Sequence, residues 1–330
     1  MLKKSQKVPH LANSSYTHRP WYLPSAHLET IIPSMFYQVK GVNYTRERLE
    51  LDDGDFLDLD WCRAGYRRLM ILSHGLEGNA YRPYIMRPAK YFHAKGWDIL
   101  AWNCRGCSGE INRLAQSYHH GDIADITTVI EYALKHEYEE IVLVGFSMGG
   151  NMQLKYLGTH GTHVDRRITA AVGFSVPCHL EDSAREIEKK SNRIYLKRFL
   201  GKLQAKLEMK AEKYPELKFN WEQIHSFQDF NRAYTLPVYG FASEEAFYQQ
   251  ARTDHLLENI AVPTLMVNAW NDPMLGGQNF PIKEVKNAPL VTLETPKVGG
   301  HVGFSKSGSD FSWMELRTNS FLEELAAPKA

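Results

Sequence analysis

The sequence predicts an α/β fold: a mostly parallel sheet of eight strands, opened by an N-terminal β-hairpin and interrupted by a helical cap. Three observations carry that expectation. Short apolar runs alternate with segments of helical spacing, a hairpin pattern precedes them, and one interval between runs is far too long for an ordinary connection.

In chain order, residues 1–45 read as an N-terminal arm. Leu49, Leu51, Phe56, Leu57, Leu59 and Trp61 then alternate with polar residues around Asp52-Asp53-Gly54-Asp55, the pattern of two strands joined by a tight turn. Six apolar runs follow, at 69–73, 98–103, 140–146, 169–175, 263–269 and 289–295; unbroken runs suit strands buried on both faces. Segments 83–95, 122–137 and 148–158 have the length and spacing of crossover helices. Residues 176–250 form the long interval, in which Ile187, Ile194, Phe199, Leu203 and Leu207 recur at near-helical spacing. Lys189, Lys190, Arg193, Lys197, Lys202, Lys206 and Lys210 lie among them and read as a solvated helix face, with weak attraction for anionic lipid or substrate as the alternative. The expectation is one domain over 1–330, with 176–250 as a cap inserted into it.

Composition narrows the function classes. With 39 Lys+Arg against 38 Asp+Glu, a net charge of +1 and 43% hydrophobic residues, the chain is an ordinary globular one. A nucleic-acid binder needs a surplus of basic residues to displace counterions from phosphates, and the balance shows none. Cys62, Cys104, Cys107 and Cys178 are too few for a disulfide scaffold, and no second pair completes a metal site with Cys104-x-x-Cys107. No run approaches the roughly 20 apolar residues of a membrane span, and polar residues follow the basic start Met1-Leu2-Lys3-Lys4. The expected compartment is the cytoplasm.

The chemistry concentrates in Gly145-Phe146-Ser147-Met148-Gly149, which follows an apolar strand and opens a helix. That strand–turn–helix context projects a serine hydroxyl from a strained turn whose neighbours must be small, and points a helix dipole at developing negative charge. A serine needs a base to take its proton. His301, in Gly299-Gly300-His301, follows the last strand, where the order Ser…acid…His places the base. Asp272, after the run 263–269, is the candidate acid, with Asp182 as its competitor. The backbone N–H groups of Met148 and of Leu76, in His74-Gly75-Leu76-Glu77-Gly78, are the candidate oxyanion donors. His74, Gly75, His27 and Thr30 are candidates for substrate contact, His27 alternatively for a buried backbone-bonded role, and Arg105, Ser108 and residues 118–122 for organising loops beside the site. Tyr195, Phe199, Phe227, Phe230, Tyr234, Tyr239 and Phe241 either wall an acyl pocket or pack the cap.

Together these residues resemble the α/β-hydrolase superfamily, in its YheT/EMB8-like branch with the ABHD1/ABHD3-type relatives. The resemblance is carried by Pro24-Ser25-Ala26-His27-Leu28-Glu29-Thr30, His74-Gly75-Leu76-Glu77-Gly78, Asn103-Cys104-Arg105-Gly106-Cys107-Ser108-Gly109, the serine turn, Asp272-Pro273 and Gly300-His301. Glu29 stands where the family pattern has Gln. The resemblance implies a Ser147–Asp272–His301 triad and hydrolysis of short- to medium-chain acyl esters of small or lipid-like molecules, with no cofactor. Acyl transfer to an alcohol is the first rival. A non-catalytic binding protein on the same scaffold is the second, and the three intact catalytic residue types weigh against it.

Overall fold

The computed structural model describes residues 9–327; the basic start at residues 1–4 lies outside them. Strands β1 (His10–Leu11), β2 (Thr45–Glu50), β3 (Phe56–Cys62), β4 (Arg68–Ser73), β5 (Asp98–Trp102), β6 (Glu140–Phe146), β7 (Ile168–Phe174), β8 (Thr264–Val267) and β9 (Val291–Glu294) form one sheet in the order β1-β9-β8-β7-β6-β4-β5-β3-β2. Only β3 runs antiparallel to its neighbours β2 and β5; every other pairing is parallel.

Among the described residues the sheet has nine strands, one more than the eight expected. The extra one is β1, only two residues long and therefore too short for any periodic signal. It lies against β9, with Leu293 N–H donating to Pro9 O at 2.9 Å and Thr295 N–H to Leu11 O at 3.1 Å. It thereby covers the unpaired edge that β9 would otherwise present.

Successive residues of the central strands enter opposite cores, as strands buried on both faces require. Leu69, Ile71, Ile141 and Leu143 pack with α3 (Ala124–Leu134) and α4 (Met148–His160), while Met70, Leu72, Val142 and Val144 face α2 (Pro83–His93) and the C-terminal helix. Helix α1 (Ala26–Met35) precedes the hairpin, capped by the Ser25 hydroxyl accepting from Leu28 N–H.

Between β7 and β8 the chain is helical. Helices α5 (Leu180–Glu188) and α6 (Arg193–Ala211) come first, then α7 (Phe227–Phe230) and α8 (Leu236–Tyr239) joined by a π-helical turn at Asn231–Thr235, and α9 (Glu244–Ala251). Helix α10 (Trp313–Ala326) closes the chain behind a capping box of Ser312 and Glu315. None of these helices is long and apolar enough to cross a membrane.

The lysine stripe of α6 is not a uniformly solvated face. Lys197 is exposed, but Lys206 and Lys210 are buried. Their ammonium groups reach inward because the loops beneath present acceptors: Lys206 Nζ lies 2.6 Å from Glu77 Oε1, and Lys210 Nζ 2.7–3.1 Å from the carbonyls of Leu114, Ala115 and Gln116. Sequence periodicity cannot register such partners, since they come from segments about 90–130 positions away.

Candidate active site

The topology brings two loops together at the sheet's carboxyl edge. The chain leaves β4 for β5 on one side and returns to β6 on the other, so β4 and β6 flank the point where strand order reverses. Ser73 pairs with Gly145, and the residues following each therefore meet: a side chain added at Gly75 would stand 3.0 Å from Ser147 Cβ. The turn after β6 is tight enough that a Cβ on Gly149 would collide with the carbonyl oxygens of Ser73 and His74.

Ser147 has φ +54° and ψ −122°, a region that costs a non-glycine residue energy and aims its side chain away from the helix it begins. Although Ser147 occupies the N-cap position of α4, its hydroxyl makes no capping bond. It lies instead 2.9 Å from His301 Nε2. His301 Nδ1 is 2.9 and 3.0 Å from the two oxygens of Asp272, whose carboxylate has no exposed surface. Because a carboxylate accepts, the ring proton belongs on Nδ1 and Nε2 is left to accept from the serine hydroxyl. Asp182 stands elsewhere, with Oδ2 accepting from Gln278 N–H and Asn279 Nδ2.

The histidine loop is held from behind by α1. His301 N–H donates to Thr30 Oγ1 (2.9 Å), and Gly300 N–H donates to Asn271 Oδ1 (3.0 Å). Asn271 Nδ2 in turn donates to Glu29 Oε2 at 2.6 Å. Glu29 is buried, which pushes its carboxyl above the ordinary range, against hydrogen bonds from Asn271 and the charge of Arg19. The next residue, Val302, takes φ +56°, unusual for a β-branched side chain, and its N–H is caught by Ser175 Oγ at 2.9 Å. Glu29, Thr30 and Asn271 thus aim the imidazole, a role their own sequence neighbourhoods do not signal.

The amides of Leu76 and Met148 find no acceptor among the described residues, and both residues adjoin Ser147. They are available to an oxyanion. His74, expected to touch substrate, is instead buried. Its Nδ1 donates to Gly75 O at 2.7 Å and its Nε2 accepts from Cys104 N–H at 3.1 Å, so it braces the loop. His27 lies one layer back, with Nδ1 2.9 Å from Tyr195 Oη. Arg105 is bound to Asp125, Asp53 and Asp55 and organises the hairpin turn. All four cysteines are buried and free.

Burial lowers the His74 pKa to about 4, so the ring is neutral in the fold. The unfolded chain binds a proton near pH 6.5 that the folded chain refuses until about pH 4. Stability contributed by this group is therefore full above pH 6.5 and is lost as pH falls, by about 2–3 kcal/mol at pH 4. Denaturant titrations at pH 7 and 4.5 should show a smaller pH dependence in His74→Asn than in the parent. Identical pH dependence would remove His74 from the account.

Two chambers meet at Ser147, sharing Leu76, Phe199, Met274 and His301. The first, about 950 Å³ with its mouth included, is walled by Phe199, Phe227, Phe230 and Tyr234 from the helical segment and by His119 and His120 from the loop before α3. Asn231 and Thr235 of the π turn also line it. Tyr239 and Phe241 do not; they pack on the His119 ring. The second, about 760 Å³, lies towards α1 and includes Gly75, Arg82, Tyr84, Tyr195 and Arg198.

Comparison with known proteins agrees with this architecture. Residues 68–304 match the family described as alpha/beta hydrolase fold. YheT of Escherichia coli (strain K12), named as a candidate esterase, is 35% identical over 291 residues, covering 85% of this chain and 84% of its own. Phospholipase ABHD3 of Mus musculus is 24% identical, over 84% and 70% of the two chains. Monoacylglycerol lipase of Saccharomyces cerevisiae is 25% identical, over 74% and 56%. Among solved structures, the Pyrococcus furiosus esterase Pf2001 superposes with a TM-score of 0.58 at 16% identity, over 87% of this chain and 96% of that one. With its strand order, its serine turn and these matches, the chain belongs to the α/β-hydrolase family.

Proposed function

We propose that this chain is a serine carboxylesterase acting on short- to medium-chain acyl esters through an acyl-enzyme on Ser147. The observation that carries the reading is the unbroken hydrogen-bonded line from Ser147 Oγ through His301 to Asp272, at 2.9 Å and 2.9–3.0 Å. It lies where two chambers meet. Relatives named as an esterase, a phospholipase and a monoacylglycerol lipase point the same way.

In the first step His301 Nε2 takes the hydroxyl proton as Ser147 Oγ bonds to the ester carbonyl carbon. The carbonyl oxygen becomes an oxyanion facing the Leu76 and Met148 N–H groups, with the α4 N-terminus adding a favourable dipole. Asp272 holds the imidazole and stabilises its positive charge. The C–O bond to the alcohol breaks, and His301 returns the proton to the departing oxygen. Water, deprotonated by the same nitrogen, then attacks the acyl-enzyme and releases the acid with Ser147 restored. The apolar first chamber suits the acyl chain.

A fluorophosphonate should add to Ser147 Oγ alone, and peptide mass spectrometry locates the adduct. A series of p-nitrophenyl esters of rising acyl length should give a peak in kcat/KM that reports chamber depth. Inclusion of a primary alcohol separates hydrolysis from acyl transfer, which would yield a new ester in place of the acid. Ester turnover with no adduct at Ser147 would sink the proposal.

A further inference from the structure

The second chamber has a property that ester hydrolysis itself does not need. Arg82, at the N-cap of α2, and Arg198, on α6, both line it, partly buried, and neither lines the apolar chamber. Neither guanidinium donates a hydrogen bond or joins an ion pair among the described residues. Lys202 adds a third positive charge nearby, and its ammonium is spent on the Glu77 carbonyl at 2.7 Å. The adjacent carboxylate, Glu77, is already paired with Lys206. Burial, and after it the charge of Arg82, holds Arg198 below its ordinary range. Two partly desolvated guanidiniums that repel one another and have no counter-charge make a site that favours an anion from outside.

We propose that the second chamber binds an anionic group, phosphate or carboxylate, carried on the alcohol portion of the ester, through Arg82 and Arg198. This rests on the ester-hydrolase reading for the placement of the scissile bond, though not for the anion site itself. An ester spanning Ser147 puts its acyl chain among Phe199, Phe227 and Phe230 and its alcohol beside the arginines. Guanidiniums present paired donors to either anion, which fits recognition of a planar carboxylate or a phosphate face. Bound there, the anion also orients the carbonyl towards the Leu76 and Met148 amides, so its binding energy serves the reaction.

The test compares three hexanoyl esters: of glycerol, of glycerol 3-phosphate and of lactate. Released hexanoate is measured with the wild type, with Arg82→Gln/Arg198→Gln and with Lys197→Gln as an exposed charge control on the same helix. At least one anionic ester should exceed the neutral one in kcat/KM by about tenfold or more, and the preferred ester identifies the anion. That ratio should fall to near one in the double variant, stay in the control, and shrink with added salt. A ratio near one in the wild type, or one that survives the double substitution, overturns the proposal.

Binding separates this failure from that of the ester reading. Calorimetry with glycerol 3-phosphate and with lactate on the Ser147→Ala protein should show uptake of at least one anion, lost when both arginines are replaced. Uptake without hydrolysis of any ester by the wild type would leave the anion site standing and remove the esterase. Hydrolysis without uptake or preference would do the reverse.

Discussion

Ser147→Ala is expected to lower kcat/KM for short-chain acyl esters by about 10⁴-fold or more and to abolish fluorophosphonate labelling. The hydroxyl supplies the only oxygen that His301 Nε2 touches among the described residues, at 2.9 Å, so no nearby group replaces it. Residual turnover would come from the oxyanion amides and substrate positioning alone. A companion change separates chemistry from folding. Ser147 sits at φ +54°, where a side chain is strained, so Ser147→Gly should be as inactive yet about 1 kcal/mol more stable than the parent. Denaturant unfolding checks the second number and steady-state kinetics the first. A stable, fully active alanine variant would move the chemistry away from this turn.

Lys206→Met should be the most damaging single change outside the catalytic line, at about 3–5 kcal/mol. The Lys206 and Glu77 side chains are only 6% and 7% exposed, and their 2.6 Å contact leaves neither charge to water. Removing the lysine strands a buried carboxylate beside Tyr118, whose hydroxyl donates to the same Glu77 oxygen at 2.6 Å. The melting temperature should fall by about 5–10 °C. Adding Glu77→Gln to Lys206→Met should recover part of the loss, because no unpaired charge then remains. The pair also ties α6 to the loop bearing Leu76, so the single variant should lose kcat as well. A change in stability below about 1 kcal/mol would return Lys206 to the solvated stripe that its sequence suggests.

The distance between that stripe and the buried pair shows where sequence reasoning stops. Lys197 and Lys206 have similar neighbours in sequence, yet one faces water and the other a carboxylate 129 positions earlier. Likewise, nothing in Glu29-Thr30 reveals that it meets Asn271 and His301, more than 240 residues away, to aim the base. His74 misled in the opposite direction. A histidine in a loop beside the nucleophile looks available, but Gly75 O and Cys104 N–H occupy both its nitrogens.

What the sequence determined by itself is what short-range physics writes into it. Mostly apolar runs marked the six strands from β4 to β9, because a strand buried on both faces admits few polar side chains, the buried Thr292 and Glu294 of β9 among them. The glycines around Ser147 marked a turn in which a side chain would strike the Ser73 and His74 carbonyls. The chain order of serine, acid and histidine followed from strand order. Tertiary structure alone shows which of Asp272 and Asp182 meets the imidazole, since both follow strands and only Asp272 lies 2.9 Å from His301. It alone divided the site into an apolar chamber and one bearing Arg82 and Arg198, which come from α2 and α6 on opposite sides of the serine loop in sequence. Such groups share a cavity only once the sheet has brought their elements together, and no local pattern encodes which distant side chains will meet.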